Sequence, residues 1–249
     1  KLVFTMSAFT KCFRPVSNYP SDFTDLVVWL RADSGVTFDI PNKRVSAWSD
    51  KSGQSNDVVQ TAVAEQPLRE GYGGQNDKAY FKFNGTSNSM FSSNNSPITP
   101  DFTIFEVSNI KTNNSSVFSY DNGSGVSINI MATEDNSYYA RVTQEIGIEI
   151  EAKNTIKILG KSHIGVLTKT EGRIALNYYD STSSTLNTDV NGAFDPTLPF
   201  NADKFHIGNF VESNLLYGDV QEVIVYNRAL SDSEIADVRG YLNLKYKIY

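Results

Sequence analysis

Apolar residues fall in short runs between turn residues along most of the chain. Leu26–Leu30 is a continuous apolar strand, whereas Lys78–Phe83 alternates and places Ala79, Phe81 and Phe83 on one face. Further strands are predicted at Val45–Trp48, Phe102–Val107, Val117–Tyr120, Val126–Met131, Tyr138–Thr143, His163–Thr168, Arg173–Tyr179, Lys204–Ile207 and Val220–Tyr226. Glu145–Glu151 alternates strictly, with Ile146, Ile148 and Ile150 on one side. Many short strands with Gly, Asn and Ser between them predict an all-β, two-sheet antiparallel jelly-roll sandwich. A single helix is expected near the C-terminus. Ser231 and Glu234 have capping-box spacing, and Ile235, Val238, Leu242 and Tyr246 then form one stripe that would cover part of the sandwich at its edge.

Composition agrees with strands joined by polar turns. Asn, Ser and Thr make up 68 of 249 residues, and there are 13 Tyr and 15 Phe. A net charge of −6 without a basic cluster argues against nucleic-acid binding. The single cysteine, Cys12, excludes an internal disulfide framework and a Cys-based zinc finger, and two histidines exclude a His-rich metal site. No apolar run approaches the roughly 18 residues of a membrane span, so membrane insertion is not expected. Residues 1–22, with Pro15 and Pro20, read as an N-terminal arm, in which Val3–Phe9 has the composition of an edge strand; residues 23–249 form the domain. The first residue is Lys rather than Met, and the chain reads as a processed or partial product.

Several side chains carry candidate chemistry. Glu222 sits among Val220, Val223, Ile224 and Val225, a setting for a buried carboxylate, and Arg228 just past the strand is its expected partner in a structural ion pair. Asp50, Ser52, Gly53 and Asn56 form a polar loop after Trp48; Asx-turn chemistry accounts for these residue types, and a calcium ion is the alternative. No cofactor is otherwise required. In 138–143, Tyr138, Ala140 and Val142 suit the core, which leaves Tyr139 and Arg141 pointing outward. In 173–179, Ile174, Leu176 and Tyr178 suit the core, which leaves Asn177 and Tyr179 outward. If these strands are neighbours, Tyr139, Arg141, Asn177 and Tyr179 form one ligand-binding patch; the alternative is cross-strand pairing that stabilises the sheet. The loops at 120–123 and 133–136 are tip-like and are a second place for binding residues. No nucleophile elbow, P-loop or zinc-protease motif is present in the sequence.

Two segments resemble the concanavalin A-like lectin/glucanase superfamily in its LamG-like jelly-roll branch. The first comprises LVVWLRADSGV (26–36), RVSAWSDKSGQSNDVVQ (44–60), QP (66–67) and AYFKFNGTSNSMF (79–91). The second is GDVQEVIVYNRALSDSEIADVRGYLNLKY (218–246), similar to the closing strand and helix of that family. The resemblance implies a non-catalytic recognition or adhesion module on a bacterial surface or phage virion, outside the cell, with a carbohydrate or surface polymer as partner. The arm would then join it to a larger assembly. A virion structural subunit acting through protein contacts is the alternative. Glycoside hydrolysis is the third reading, because Glu145, Glu149 and Glu151 superficially resemble the glucanase E-x-D-x-E strand, with Gly147 where that pattern has its Asp.

Overall fold

The computed structural model describes residues 19–94, 98–121, 127–145, 148–170, 173–181, 184–189, 204–210 and 213–249. The predicted strand Val3–Phe9, Cys12, Pro15, the loop residues Asn122 and Gly123, and Ile146 and Gly147 lie outside the described residues. The first half of the chain contains β1 (Leu26–Arg31), β2 (Val36–Phe38), β3 (Val45–Trp48), β4 (Val58–Val59), β5 (Leu68–Glu70), β6 (Tyr80–Asn84), β7 (Met90–Ser92), β8 (Phe102–Ile110) and β9 (Ser115–Asp121). The second half contains β10 (Ser127–Ala132), β11 (Ser137–Glu145), β12 (Ile148–Lys157), β13 (Ser162–Thr170), β14 (Arg173–Tyr179), β15 (Ser184–Asp189), β16 (Lys204–Ile207), β17 (Tyr217–Tyr226) and helix α1 (Asp232–Tyr246).

These strands form two antiparallel sheets, as the alternation predicted. An eight-stranded sheet runs β15-β14-β13-β8-β17-β6-β5, with β1 also on β17, and a nine-stranded sheet runs β12-β11-β10-β9-β16-β7-β4-β3-β2. The main core lies between them and includes Trp48, Phe81, Phe83, Phe118, Tyr120 and Tyr138. A second core lies on the other face of the smaller sheet, where Trp29, Phe105, Ile164, Ile224 and Tyr226 meet Val238, Leu242 and Tyr246 of α1. This is the helix-covered sheet; the larger one is the open sheet. The helix therefore covers the central strands rather than the sandwich edge. Double coverage also explains the continuous apolar run of β1 and the burial of nearly every residue of β8, since both faces of those strands are dry.

Local chemistry sets the ends of these elements. Ser231 caps α1 by accepting from the Glu234 N–H, and the Glu234 carboxylate accepts from the Ser231 N–H at 2.9 Å. At the start of the described chain Pro20–Asp22 makes a single 3-10 turn. The Pro20 carbonyl accepts the Tyr226 hydroxyl at 2.9 Å, and the Tyr19 ring lies 5.7 Å from Tyr241. The last residues of the predicted arm are thus fastened to the domain. The alternating run Glu145–Glu151 is not one strand: β11 ends at Glu145 and β12 begins at Ile148, antiparallel to it. Alternation continues across a hairpin as readily as along a strand, so the pattern concealed the turn.

The main core also holds a polar cluster. His163 and Glu106 are fully buried, with His163 Nε2 2.9 Å from Glu106 Oε1, and the Tyr138 hydroxyl donates to the same oxygen at 2.8 Å. The Tyr178 ring stacks near His163 at 4.8 Å and its hydroxyl donates to Asp180 at 3.1 Å. Gly165 on β13 leaves the room for this cluster, because a Cβ there would meet the Tyr138 hydroxyl and the Glu106 carboxylate. Gly165→Ala is expected to destabilise the protein by about 1–3 kcal/mol through overpacking, read as a lower urea midpoint. An unchanged midpoint would mean that the cluster has slack.

Candidate functional site

The outer face of the open sheet is built by strand alternation. Ile128 and Ile130 of β10, Ala140 and Val142 of β11, Ile150 of β12 and Phe205 of β16 enter the core, so the residues between them point outward. Backbone register then aligns one outward position from every strand. Thr37, Ala47, Val59, Phe91, His206, Ser119, Asn129, Arg141 and Glu151 are successive cross-strand partners from β2 to β12. A single transverse row therefore runs the width of the sheet. Its apolar end is aliphatic, its middle is aromatic and amide-bearing, and its far end is charged.

The middle of this row is shielded by the segment after β16. The Ser119 hydroxyl donates to the Asn209 carbonyl at 2.6 Å, and Ser116 donates to Asn129 Oδ1 at 2.7 Å. Phe210 stands beside the row with the Arg141 guanidinium 5.9 Å from its ring centre, and Lys204 lies 5.3 Å from the ring centre of Phe91. Arg141 Nη1 is 3.7 Å from Glu149, while among the described residues its Nε has no hydrogen-bond partner, and neither has Asn209 Oδ1. Burial holds the His206 imidazole below its ordinary pKa, with Asp121 opposing and Lys204 adding to the effect. A neutral imidazole both donates and accepts. The Tyr139 hydroxyl donates to Glu151, and burial together with that carboxylate raises its pKa, so it stays a neutral phenol. The face thus offers aromatic rings, an imidazole and an under-used guanidinium, while Asn129 is buried with its amide already bonded to Ser116 and Met131.

The four residues expected to form one patch are divided between the two sheets. Tyr139 and Arg141 lie on β11 in the open sheet, whereas Asn177 and Tyr179 lie on β14 in the helix-covered sheet. Both pairs do point outward, and because the sheets face each other through the core, the two outward faces are on opposite sides of the molecule. Tyr179 is also not free for stacking: the Arg239 guanidinium of α1 sits 4.1 Å from its ring centre. Asn129, His206, Phe91 and Phe210 were not singled out from the sequence. Alternation marks Asn129 between Ile128 and Ile130, and His206 between Phe205 and Ile207, as outward. Their alignment with Arg141 depends on strand order.

Glu222 is fully buried as expected, but Arg228 is not its partner. Its carboxylate accepts from Trp29 Nε1 at 2.7 Å, Tyr241 at 3.0 Å, Tyr246 at 2.7 Å and Lys245 at 2.7 Å. Six residues along an extended strand span roughly 20 Å, which carries Arg228 out of reach, and α1 returns Lys245 to Glu222 instead. Arg228 pairs with Glu234 at 2.6 and 2.9 Å, and that hydrogen bonding lowers the Glu234 pKa to about 2. Asp50 is a loop pin. Its Oδ1 accepts the N–H groups of Trp29 and Ser52, and its Oδ2 accepts from the Ser52 hydroxyl and the Asn56 N–H. A cation at Asp50 would have to displace these bonds. Glu149 and Glu151 share the outward face of β12, an edge strand, with Glu149 exposed.

Among the described residues no helix is long and apolar enough to cross a membrane. No protein-family description matches the chain, and no curated protein matches it. Solved structures do. Domain 4 of AbnA, a GH43 extracellular arabinanase from Geobacillus stearothermophilus, in complex with arabinotriose, superposes with a TM-score of 0.62 at 13% identity, over 86% of this chain and 98% of that one. The binding domain of botulinum neurotoxin DC in complex with SialylT gives 0.56 at 14% identity, over 89% and 51%. The Trypanosoma rangeli sialidase in complex with DANA gives 0.54 at 18% identity, over 86% and 32%. At such identities the likeness is one of fold, and the fold is a two-sheet antiparallel β-sandwich with one C-terminal helix.

Proposed function

We propose that this protein is a non-catalytic surface recognition and adhesion module that binds a glycan on the outer face of its open sheet. The observation that carries the reading is the transverse row, which sets Phe91, His206 and Arg141 on one face with Phe210 beside them. Sugar rings present apolar C–H faces and hydroxyl edges. Aromatic rings suit the first, and amide, imidazole and guanidinium groups suit the second. The arabinotriose complex of the arabinanase domain supports a saccharide as ligand for a sandwich of this kind. The LamG-like resemblance supports extracellular display on a bacterial surface or virion. The non-catalytic reading rests on Glu149 and Glu151. They lie on an edge strand, Glu151 is engaged by Tyr139, and a hydrolytic pair has to flank an enclosed glycosidic bond.

A glycan array on the purified chain, with and without calcium, tests this. Saturable binding to a defined glycan class is expected, insensitive to EDTA because the Asp50 oxygens are already saturated by hydrogen bonds. Arg141→Ala is expected to weaken that binding roughly ten- to a hundredfold, the value of a charge-assisted hydrogen bond. An array without specific binding would overturn the glycan reading and favour a structural subunit; turnover of a bound glycan that is lost in Glu151→Gln would overturn the non-catalytic one.

A further inference from the structure

The face opposite the open sheet carries its own cleft. It lies between the first half of α1 and the outer surface of β13 and β14, with a volume of about 550 Å³, within the range of small-molecule sites. Thr168, Asn177 and Ala175 form its floor, and Ile235 and Arg239 form its helical wall. The Arg239 guanidinium carbon lies 4.1 Å from the ring centre of Tyr179 and 6.0 Å from that of Tyr249. The Arg239 Nε is buried without a hydrogen-bond partner among the described residues, and the guanidinium hydrogen-bonds the Tyr249 hydroxyl. The Thr168 hydroxyl oxygen, on the floor, is likewise buried and unpartnered.

We propose that this cleft is a second binding site that takes a carboxylate-bearing sugar, with Arg239 as the anchor of the carboxylate. A guanidinium over an aromatic ring keeps its in-plane donors, and those that Arg239 does not give to the Tyr249 hydroxyl match a planar carboxylate. Two unmet polar groups in one cleft leave a hydrogen-bonding deficit that a polar ligand removes. Thr168, Thr170 and Asn177 supply partners for sugar hydroxyls, and Ile235 and Ala175 supply an apolar surface for its C–H face. Asp232 at the same cleft sets the charge limit, since it repels additional anionic groups and so selects a single carboxylate over a polyanion. This site goes beyond the open-face reading and uses none of its residues.

The test is an NMR titration of the full 15N-labelled chain with D-glucuronate, following the Arg239 Nε–H and Asn177 side-chain amide signals. D-glucose and acetate serve as parallel arms. Saturable shifts of both signals with glucuronate, absent with glucose at the same concentration and weaker by at least tenfold with acetate, are the expected result. Arg239→Lys keeps the charge and loses the planar fork, and is expected to weaken glucuronate at least tenfold, whereas Arg141→Ala leaves it unchanged. Glucuronate without effect, or glucose or acetate acting equally, overturns the proposal whatever the variants do. Loss of array binding in Arg141→Ala with glucuronate titration intact, or the reverse, separates the failure of one site from that of the other.

Discussion

Glu222→Ala is expected to lower the unfolding free energy by about 3–5 kcal/mol, the cost of removing one partner from a buried charge pair. The carboxylate is fully buried and joins three elements: Trp29 of β1, Glu222 itself on β17, and Tyr241, Lys245 and Tyr246 of α1. Without it, the Lys245 ammonium, whose side chain is only 12% exposed, keeps Asp33 at 3.1 Å and loses its inner partner. The Trp29, Tyr241 and Tyr246 donors are left without their acceptor. Denaturant unfolding at neutral pH followed by tryptophan fluorescence measures the loss. Glu222→Ala combined with Lys245→Met should recover part of it, because the stranded charge is gone. A loss under about 1 kcal/mol would show that α1 is held by its apolar stripe alone.

The two histidines are expected to titrate on opposite sides of the ordinary imidazole value. Burial pulls the His163 pKa down, but the Glu106 carboxylate in contact with it outweighs burial, and the net direction is up. A raised folded-state pKa stabilises the fold fully below the unfolded value of about 6.5, and that contribution is lost as pH rises through the folded pKa. His206 is depressed, chiefly by burial, so its contribution is present above about 6.5 and is lost as pH falls through its folded pKa. From these groups alone, stability peaks near the ordinary histidine value and declines on both sides. His163→Gln should flatten the alkaline limb, and by leaving Glu106 without a cationic partner it should also cost about 3–5 kcal/mol near pH 6. Imidazole proton shifts against pH give both pKa directions, and urea midpoints across the same range give the limbs. Both histidines titrating below about 6.5 would refute the dominance of the Glu106 contact at His163, and both above it would refute the burial effect at His206.

The local part of the design was legible before any coordinates. Strand alternation put Tyr138, Ala140 and Val142 in the core and Tyr139 and Arg141 outside, because successive side chains of a strand point to opposite faces whatever the strand pairs with. The helix was equally legible, since its Ser231–Glu234 cap and its Val238, Leu242 and Tyr246 stripe are set within one stretch of chain. The Glu145–Glu151 run misled for the same reason. A hairpin and a single strand look alike when the reversal falls inside an alternating pattern.

What could not be read locally was who stands beside whom. Sheet membership of β11 and β14 is a matter of pairing between segments far apart in sequence, and it moved Asn177 and Tyr179 to the opposite side of the molecule from Tyr139 and Arg141. The same nonlocal register lined up Phe91, His206, Asn129 and Arg141, although Phe91 and Arg141 lie on β7 and β11 with three strands of chain between them. The apolar neighbours of Glu222 mark it as a buried carboxylate. Its partner came from α1, because an extended strand carries nearby sequence away while a packed helix brings distant sequence back. Side-chain orientation is a property of a few consecutive residues. Partnership, and with it any binding surface, exists only once the whole chain has closed its sheets.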